Sequence, residues 1–588
     1  MTIASAQESG QSDGAQSYAQ PVEHPSVYSP QTEAMLRYDN SSVNLNTGTV
    51  SLSIPLVEFD DPDFDVDISI SYSMDGFKPL QPDNFVGMGW RLNCGGVITR
   101  EVHGIPDEFV GFSAAPTRLG YDEEVYGYLS TRNSTSDVLL AADSDGLDSL
   151  LRQTPVGTEG DWEAIVYYNN SWTELSPDIF RFSFGRHSGM FVMDGNKVLV
   201  SSDTGQNYKV ELGPFARYPS NQNSDDYSMY IKITTDDGYQ YIFGGKYDAI
   251  EYTALRWSDI TSESLQDHGS YFTFPALDAL QAKIGKRYNE PTAFHLSKVI
   301  APNGRELIYR YYDWVPDSIH SEPEMFILDH NRLPKIGVES ILKSYSVTPS
   351  LMSQGLETDV EQLKLHYSLI KTSLLASIES NTQKIEFKYG SQANPFFCFD
   401  RHTTSGEYIY EYISKCGARL EKVLLKINEN YLQESKLSYK ENEERLKLES
   451  VDNSSMGKYK FNYYPCNMTQ SLTMDIDKWG FWNGRESNQY FCPEVDGTIN
   501  WERMEYNKKE GDRNREPSGK DFSANMLRSV TFPTGGSIVY EYQPHDYSRF
   551  YEQSYETSYI PQIRTTDTSR ELAGGASLLK EIYNDGIE

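Results

Sequence analysis

The sequence contains no run of about 18 uncharged apolar residues, so it predicts no membrane-spanning helix. Basic residues are also scarce: 52 Lys and Arg stand against 85 Asp and Glu, which gives a formal net charge of −33. Because an acidic surface repels phosphate backbones and anionic lipids, binding to nucleic acid or to a charged membrane is disfavoured. The excess charge is typical of a soluble surface, and the narrower alternatives are calcium binding or a basic partner.

Cysteine is rare, and histidine shows no metal-binding pattern. None of the 5 cysteines forms a CxxC pair, which excludes a zinc ribbon and disfavours a redox dithiol. Cys416, Cys466 and Cys492 leave room for one disulfide. The 10 His residues never occur as HExxH or at metal-ligand spacing. The sequence therefore predicts neither a metal site nor a cofactor.

Tyrosine is abundant, at 42 of 588 residues, and favours strands over helices. From Asp63 to Ser71 the odd positions are acidic or Ser, whereas the even positions from Phe64 to Tyr72 are apolar. This alternation predicts a strand with one buried face. Two Asp-Gly pairs between alternating runs, at Asp237 and at Asp194, predict β-hairpins.

Composition and periodicity predict a mainly β, antiparallel protein with few helical insertions. The start of the chain is rich in Ser, Gln, Gly and Pro, and Ala4-Ser5-Ala6 resembles the end of a secretory signal whose charged and apolar regions are missing. The best helical candidates are residues 258–286 and 355–376. The predicted regions are a disordered leader (1–30), a sandwich-like N-terminal β-region (31–250), a partly helical insertion (251–295) and a β-hairpin repeat region (296–588).

The second half of the chain contains an internal repeat. Its pattern is Leu-x-x-Ile/Val, a turn, and an alternating strand that ends in Tyr, which predicts a hairpin in each unit. In two units Pro and Gly supply the fixed φ and the positive φ that a tight turn requires, with the glycines at Gly304 and Gly535. A sixth unit begins at Leu579 and Ile582, where we expect an unpaired edge and the continuation of a longer natural polypeptide. The five complete units are Leu296–Tyr311, Leu375–Tyr389, Leu420–Tyr439, Leu448–Tyr463 and Leu527–Tyr542.

No candidate for catalysis or metal binding in the sequence is convincing. The glycines around Trp90 lack the third glycine and the helix of a dinucleotide-binding turn. Cys94 and His103 could form a nucleophile and base only if the fold brought them together. Residues 143–148 resemble half a calcium loop, and the acidic turn from Glu58 to Asp63 is another candidate for calcium, but a solvated loop explains each more simply.

Several phrases together resemble the N-terminal region of large secreted bacterial RHS/YD-repeat proteins. The first block also resembles the opening of insecticidal toxin-complex shell subunits, although Met88 stands where their Gly-Leu-Gly-Trp phrase has Leu. The phrases lie at residues 47–56, 70–72, 86–100, 104–107, 177–180, 188–191, 241–245, 477–484 and 532–536. The matching residues are those that shape turns and fill β cores: Gly48, Gly87, Gly89, Trp90, Gly95, Gly96, Gly304 and Gly535.

The resemblance implies a curved β-shell of hairpins that encloses or presents a C-terminal effector. We therefore predict a non-catalytic scaffold, secreted or at the cell surface, whose partner is the C-terminal remainder of the polypeptide or an effector domain. One alternative is an adhesion module that binds a glycan or a cell-surface protein through aromatic loops such as Trp479–Trp482. A weaker one is a glycoside hydrolase, which would need two carboxylates about 5–9 Å apart in a cleft beside aromatic rings.

Overall fold

The computed structural model describes the chain in segments that fall into two compact units. One unit holds the described residues between His103 and Pro177, and the other those of Ser26–Val102 and Asp178–Glu588. The described segments are 48–103 (without 80 and 82), 107, 110–112, 124–126, 128–129, 165–168, 171–174, 176–194, 197–213 (without 204), 229–261, 290–312, 334–340, 362–392, 417–440 (without 429), 445–468, 475–484 (without 478), 516–552, 562–565 and 570–584.

The described residues are almost entirely strands and turns, as predicted, and their one helical element is a 3-10 turn, Tyr247–Ala249. No helix in these segments is long and apolar enough to cross a membrane. The larger unit begins with β1 (Leu52–Pro55), β2 (Ser69–Tyr72), β3 (Trp90–Asn93) and β4 (Gly96–Glu101). The smaller unit contains β5 (Val110–Phe112), β6 (Glu124–Tyr126), β7 (Ile165–Tyr168) and β8 (Ser171–Glu174).

The remaining strands belong to the larger unit and follow in chain order. Strands β9 to β15 are Ile179–Phe184, His187–Asp194, Lys197–Ser202, Lys209–Leu212, Tyr230–Thr234, Gln240–Gly244 and Ile250–Thr261. Strands β16 to β22 are Glu290–Ile300, Glu306–Tyr311, Pro334–Ser340, Gln362–Lys371, Leu375–Glu379, Gln383–Gln392 and Gly417–Ile427. Strands β23 to β30 are Asn430–Tyr439, Leu448–Asn453, Gly457–Tyr463, Leu527–Thr531, Ser537–Tyr547, Arg549–Glu552, Gln562–Thr565 and Glu571–Asn584.

The sheets are antiparallel apart from the β6–β8 pair of the smaller unit. Strands β1, β2 and β3 form a separate three-stranded sheet. The long strand β16 joins two larger sheets, because its first half pairs with β4 and β15 and its second half with β14 and β17. From β16 onwards, antiparallel pairs connect β16, β17, β20 to β27, and β30 in one series, which we call the hairpin wall.

All five repeat units form hairpins of the wall, as predicted, and one register links them. The closing Tyr of each unit is the Cα partner of the opening Leu of the next, and a β-bulge directly precedes that Tyr. The pairs are Tyr311–Leu375, Tyr389–Leu420, Tyr439–Leu448, Tyr463–Leu527 and Tyr542–Leu578. In the sixth unit the opening residue is therefore Leu578, and the predicted Leu579 instead occupies the bulge and is 58% exposed.

The structure corrects two further predictions. The expected helix over 355–376 is wrong, because Gln362–Lys371 is β19; Leu or Tyr at every second position from Leu363 to Leu369 fits the period of a strand. The expected strand over 63–72 is shorter, since only Ser69–Tyr72 pairs, although Phe64 and Ile68 are buried as predicted.

Other predictions fall partly or wholly on residues that are not described. Strands occupy both described ends of the expected insertion 251–295, whereas residues 262–289 lie outside the described segments. The leader 1–30 and the calcium-like loop 143–148 also lie outside them.

Candidate functional site

The closing tyrosines of the repeat units make a recurring hydrogen bond in the wall. In four of the five units the Tyr hydroxyl donates a hydrogen bond of 2.7–2.8 Å to the carbonyl oxygen of the Leu that opens the same unit. Burial raises the pKa of these phenols above the usual value, so each stays a neutral donor. The donors and acceptors are Tyr311 and Leu296, Tyr439 and Leu420, Tyr463 and Leu448, and Tyr542 and Leu527.

Tyr389 is the exception among the five. Its hydroxyl is buried and has no hydrogen-bond partner in the described part of the chain, although its unit has the same register as the other four. Its ring instead lies edge-on to the rings of Phe85 and Tyr312, with centroids 5.5 and 5.7 Å away. This unit is therefore held by packing rather than by the Tyr-to-Leu bond.

The bulges leave main-chain N–H groups without a partner in the ladder, and the N-terminal segment (residues 48–96) accepts hydrogen bonds from several of them. A bulge interrupts the ladder at each opening Leu, so its N–H requires another acceptor. Leu420 donates to the Phe85 carbonyl at 2.7 Å, Leu527 to the Tyr72 hydroxyl at 2.8 Å, and Leu578 to the Gly48 carbonyl at 2.8 Å. The segment thus bonds to the wall at the irregularity that the repeat reproduces.

Trp90 is the centre of this contact and is fully buried, as predicted. It is the Cα partner of Tyr72, and its Nε1 donates to the Tyr463 hydroxyl at 2.8 Å. Its ring centroid is 4.6 Å from that of Phe461 and 5.3 Å from that of Tyr72. Gly89 precedes it at φ +74°, and a Cβ there would lie 2.7 Å from the Tyr72 ring.

The other predicted structural glycines lie at this interface, against the neighbouring strand β9, or at the hairpin turns. Gly87 lies against the Leu446 carbonyl, Gly95 against the Tyr309 ring, and Gly96 against Phe184 of β9. Gly304 and Gly535 are at the turns, where Gly304 N–H donates to Ala301 and Gly535 N–H to Phe532, at 2.9 and 3.0 Å. The two Pro-x-Gly turns therefore have the same hydrogen bond.

A strap (residues 56–63) crosses the wall at the hairpin turns. The Leu56 carbonyl accepts from Ser435 and Asn453, at 2.5 and 2.7 Å, and the Glu58 N–H donates to Gln433 at 2.9 Å. Next along the strap, the Asp60 carbonyl accepts from Gln383.

The strap ends in an ionic anchor. Asp61 pairs with Arg305 at 2.7 Å, and Asp63 bonds both to Arg305 and to Asn303. The Arg305 and Asn303 hydrogen bonds hold the pKa of Asp63 below its usual value. The acidic turn that suggested calcium is thus an ion-paired anchor on the wall, which the sequence could not reveal because Arg305 is 242 positions from Asp63.

Two buried polar pairs, one of them an ion pair, also escaped sequence reasoning. Arg100 of β4 bonds to Asp178 through Nε at 2.8 Å and Nη2 at 2.5 Å, and both side chains are fully buried. His295 Nε2 lies 3.1 Å from the Glu251 carboxylate, also in the interior. Because removal of one partner leaves a buried charge, such pairs are sensitive to substitution.

The candidate nucleophile Cys94 and the candidate base His103 belong to different compact units. Burial raises the pKa of the Cys94 thiol far above its usual value, so Cys94 is a poor nucleophile. A His103 ring nitrogen lies 3.2 Å from the Pro177 carbonyl oxygen. Cys94 and Cys466 carry free thiols, whereas the other three cysteines lie outside the described segments. Within those segments no group of three His, Cys, Asp or Glu side chains could hold a metal ion.

A polar cleft of about 470 Å³ lies between the turns of the first two repeat hairpins and contains two carboxylates, Glu306 and Glu379. Glu379 is bonded by Arg310 at 2.9 Å and by Lys384 at 3.1 Å, and its pKa is lowered to about 2. A carboxylate ionised at neutral pH cannot act as the proton donor of a glycoside hydrolase. None of the described residues that line this cleft is aromatic.

The predicted aromatic loop is mostly buried. Phe481 and Trp482 are in the interior, and the Asp477 carboxylate accepts the N–H groups of Trp479 and Phe481, at 2.8 and 2.9 Å. Only Trp479 is exposed, at 43%, beside the ring of Tyr547 at a centroid distance of 6.1 Å. The loop thus presents a single exposed aromatic ring on a fixed turn.

Comparisons with known proteins show only distant likeness. No protein-family model and no curated protein matches the chain. Among solved structures, a TcdB2-TccC3-Cdc42 crystal structure is similar at a TM-score of 0.28 and 11% identity, over 71% of this chain and 16% of that one. The N-terminal domain of effector protein SpvB from Salmonella typhimurium is similar at 0.25 and 12%, over 68% of this chain and 98% of that one.

A Photorhabdus luminescens Tc holotoxin pore structure is similar at a TM-score of 0.24 and 12% identity, over 71% of this chain and 16% of that one. This chain therefore spans about a sixth of the length of the Tc chains that it matches. These likenesses are too weak to carry an argument about function.

Proposed function

We propose that this chain is a non-catalytic scaffold, the N-terminal part of the wall of a secreted or cell-surface RHS/YD-repeat-type protein. In this proposal its partner is the remainder of such a polypeptide or an effector domain, which the wall encloses or presents. The observation that carries the proposal is that one segment, residues 48–96, bonds to every repeat hairpin from the first unit to β30. A segment bound in this way stiffens a wall and leaves its own polar groups occupied.

The polar side chains around this interface support a structural role. Arg445, only 3% exposed, makes a forked bond to Asp83 at 2.7 and 3.0 Å, and the Asp83 carboxylate also accepts the Leu446 N–H. Next to them, the Met88 N–H donates to the Leu446 carbonyl at 2.8 Å. These groups join the N-terminal segment to the wall.

A broad hydrolase screen of the purified chain tests the absence of catalysis. Glycosides, peptides and esters are assayed with and without calcium, and we expect no turnover above the buffer. Turnover that disappears in Glu379→Gln or Glu306→Gln, the two carboxylates of the cleft, but persists in the exposed control Glu449→Gln, would contradict the scaffold proposal.

The exposed Trp479 supports a second candidate, an adhesion module for glycans. An indole fixed on a turn can stack on the apolar face of a sugar ring. Affinity electrophoresis in soluble polysaccharides tests this, with Trp479→Ala as the variant and Tyr431→Ala, which removes another exposed ring, as the control. Retardation that Trp479→Ala alone removes would favour adhesion over the scaffold.

A further inference from the structure

Within the described part of the chain, the last strand of the wall, β30, pairs with another strand along one edge only. In each complete unit the opening strand pairs with its own closing strand, as in β26 with β27. Among the described residues β30 pairs only with β27, and the N-terminal segment covers its other edge at Ala576 and Leu578, which donate to Asp75 and Gly48. Residues 579–584 are all exposed beyond that point.

The side chains of this edge suit strand addition. Leu579, Ile582 and Tyr583 are 58%, 36% and 70% exposed, and an uncovered strand with apolar side chains is a template for another strand. Lys580 and Glu581 lie between these apolar residues and are charged. A purely apolar partner strand is therefore disfavoured, because it would place an apolar side chain opposite an unpaired charge.

The repeat register identifies what the partner strand must carry. In every complete unit a buried Ile or Val, three residues after the opening Leu, is the Cα partner of the residue four before the closing Tyr. These pairs are Val299–Leu307, Ile378–Ile385, Val423–Ser435, Val451–Tyr459 and Val530–Ile538. Counted from Leu578, that buried position is taken by the exposed Glu581, so the residue opposite it should be basic rather than apolar.

We propose that residues 579–583 of β30 bind an antiparallel strand of the closing type whose residue four before the Tyr is Lys or Arg. The proposal extends the scaffold function by naming the kind of strand that the wall accepts, and it can fail while the scaffold stands. The basic residue would lie opposite Glu581, and the Tyr would lie beside Leu578, as the closing Tyr lies beside the opening Leu in four of the five complete units.

A charge-swap experiment with the full chain and labelled peptides tests the proposal. The probe is a peptide of residues 535–543 in which Ile538→Lys places a cation four before the Tyr; matched peptides keep Ile538 or carry Ile538→Glu. We expect the Lys peptide to bind tighter than the Ile peptide by about three-fold, and Glu581→Lys to weaken it by about ten-fold and to favour the Glu peptide. The exposed control Glu449→Lys should change neither affinity.

Hydrogen exchange locates the binding site. The Lys peptide should protect amides within residues 579–583, and the same peptide N-methylated at alternate residues should protect none, because it cannot form the ladder. Equal binding of the Lys and Glu peptides, protection elsewhere, or an edge already protected in a dimer of the free chain would overturn the proposal.

Discussion

The Trp90 indole N–H donates to the Tyr463 hydroxyl, 373 positions away, and Tyr463 in turn donates to the Leu448 carbonyl; both bonds are 2.8 Å long. Tyr463 therefore closes its own hairpin and also receives the N-terminal segment. The Tyr463 hydroxyl donates its hydrogen within its own repeat unit, and its oxygen accepts a bond from the N-terminal segment. The repeat unit and the N-terminal segment therefore depend on the same side chain.

Removal of the Trp90 ring should destabilise the protein strongly. Because the indole is fully buried, Trp90→Ala should cost about 3–5 kcal/mol of unfolding free energy. Urea unfolding followed by circular dichroism measures this. The control is Trp479→Ala, which removes a partly exposed ring and should change stability by no more than about 0.5 kcal/mol. Equal effects of the two substitutions would contradict the assigned role of Trp90.

The closing tyrosines should respond differently to loss of the hydroxyl. Tyr439→Phe and Tyr542→Phe leave a Leu carbonyl without its donor and should each cost about 1–2 kcal/mol. Tyr389→Phe removes a buried hydroxyl that has no partner, so it should be neutral or stabilising by up to about 1 kcal/mol. The denaturant midpoints of the three variants measure these changes in stability. A loss of stability in Tyr389→Phe as large as that in Tyr542→Phe would show that the Tyr389 hydroxyl makes a hydrogen bond.

Two glycines with similar positive φ angles, Gly89 and Gly304, should differ in their tolerance of alanine. Gly89→Ala adds a Cβ 2.7 Å from the Tyr72 ring and should cost about 2–4 kcal/mol. Gly304, at φ +84°, has open space around it, so Gly304→Ala should cost only the backbone strain of about 1 kcal/mol. Thermal unfolding of both variants separates the cost of backbone strain, which both share, from the cost of the steric clash with Tyr72, which only Gly89→Ala has. Equal melting temperatures would mean that the clash at Gly89 is unimportant.

The ionic anchor of the strap should make stability depend on acid pH. The folded-state pKa of Asp63 is lowered, chiefly by the Arg305 hydrogen bond, so this stabilisation is complete above the unfolded pKa of about 3.9. It is lost as the pH falls through the lower folded-state pKa. Asp63→Asn should therefore reduce stability at pH 6 and flatten its decline below pH 4.

Urea titrations from pH 2 to 7 measure this dependence. Asp452→Asn, at an exposed carboxylate of β24, is the matched control and should leave the profile unchanged. A wild-type profile without any decline below pH 4 would show that the anchor contributes nothing.

Strand, turn and repeat were readable from the sequence because their interactions are local. A hairpin such as Leu527–Tyr542 brings together residues within 15 positions. The period of two, the Pro-x-Gly turn and the terminal Tyr are all visible in that short stretch of sequence and together predict the hairpin. The same local logic failed at 355–376, where a helical and a strand pattern competed, and at Leu579, where only the register with β27 distinguishes the opening Leu from the bulge.

The sequence by itself determined a β-rich chain, its hairpin units, and the residues that shape turns and fill the core. Tertiary structure alone decided that the Phe85, Tyr72 and Gly48 acceptors meet the bulges of the wall, and that Arg305 occupies the acidic turn. The physical reason is that alternation and turn chemistry specify which face of a strand is buried and where it reverses. They carry no information on which distant segment will satisfy a main-chain group that the bulge leaves without a partner.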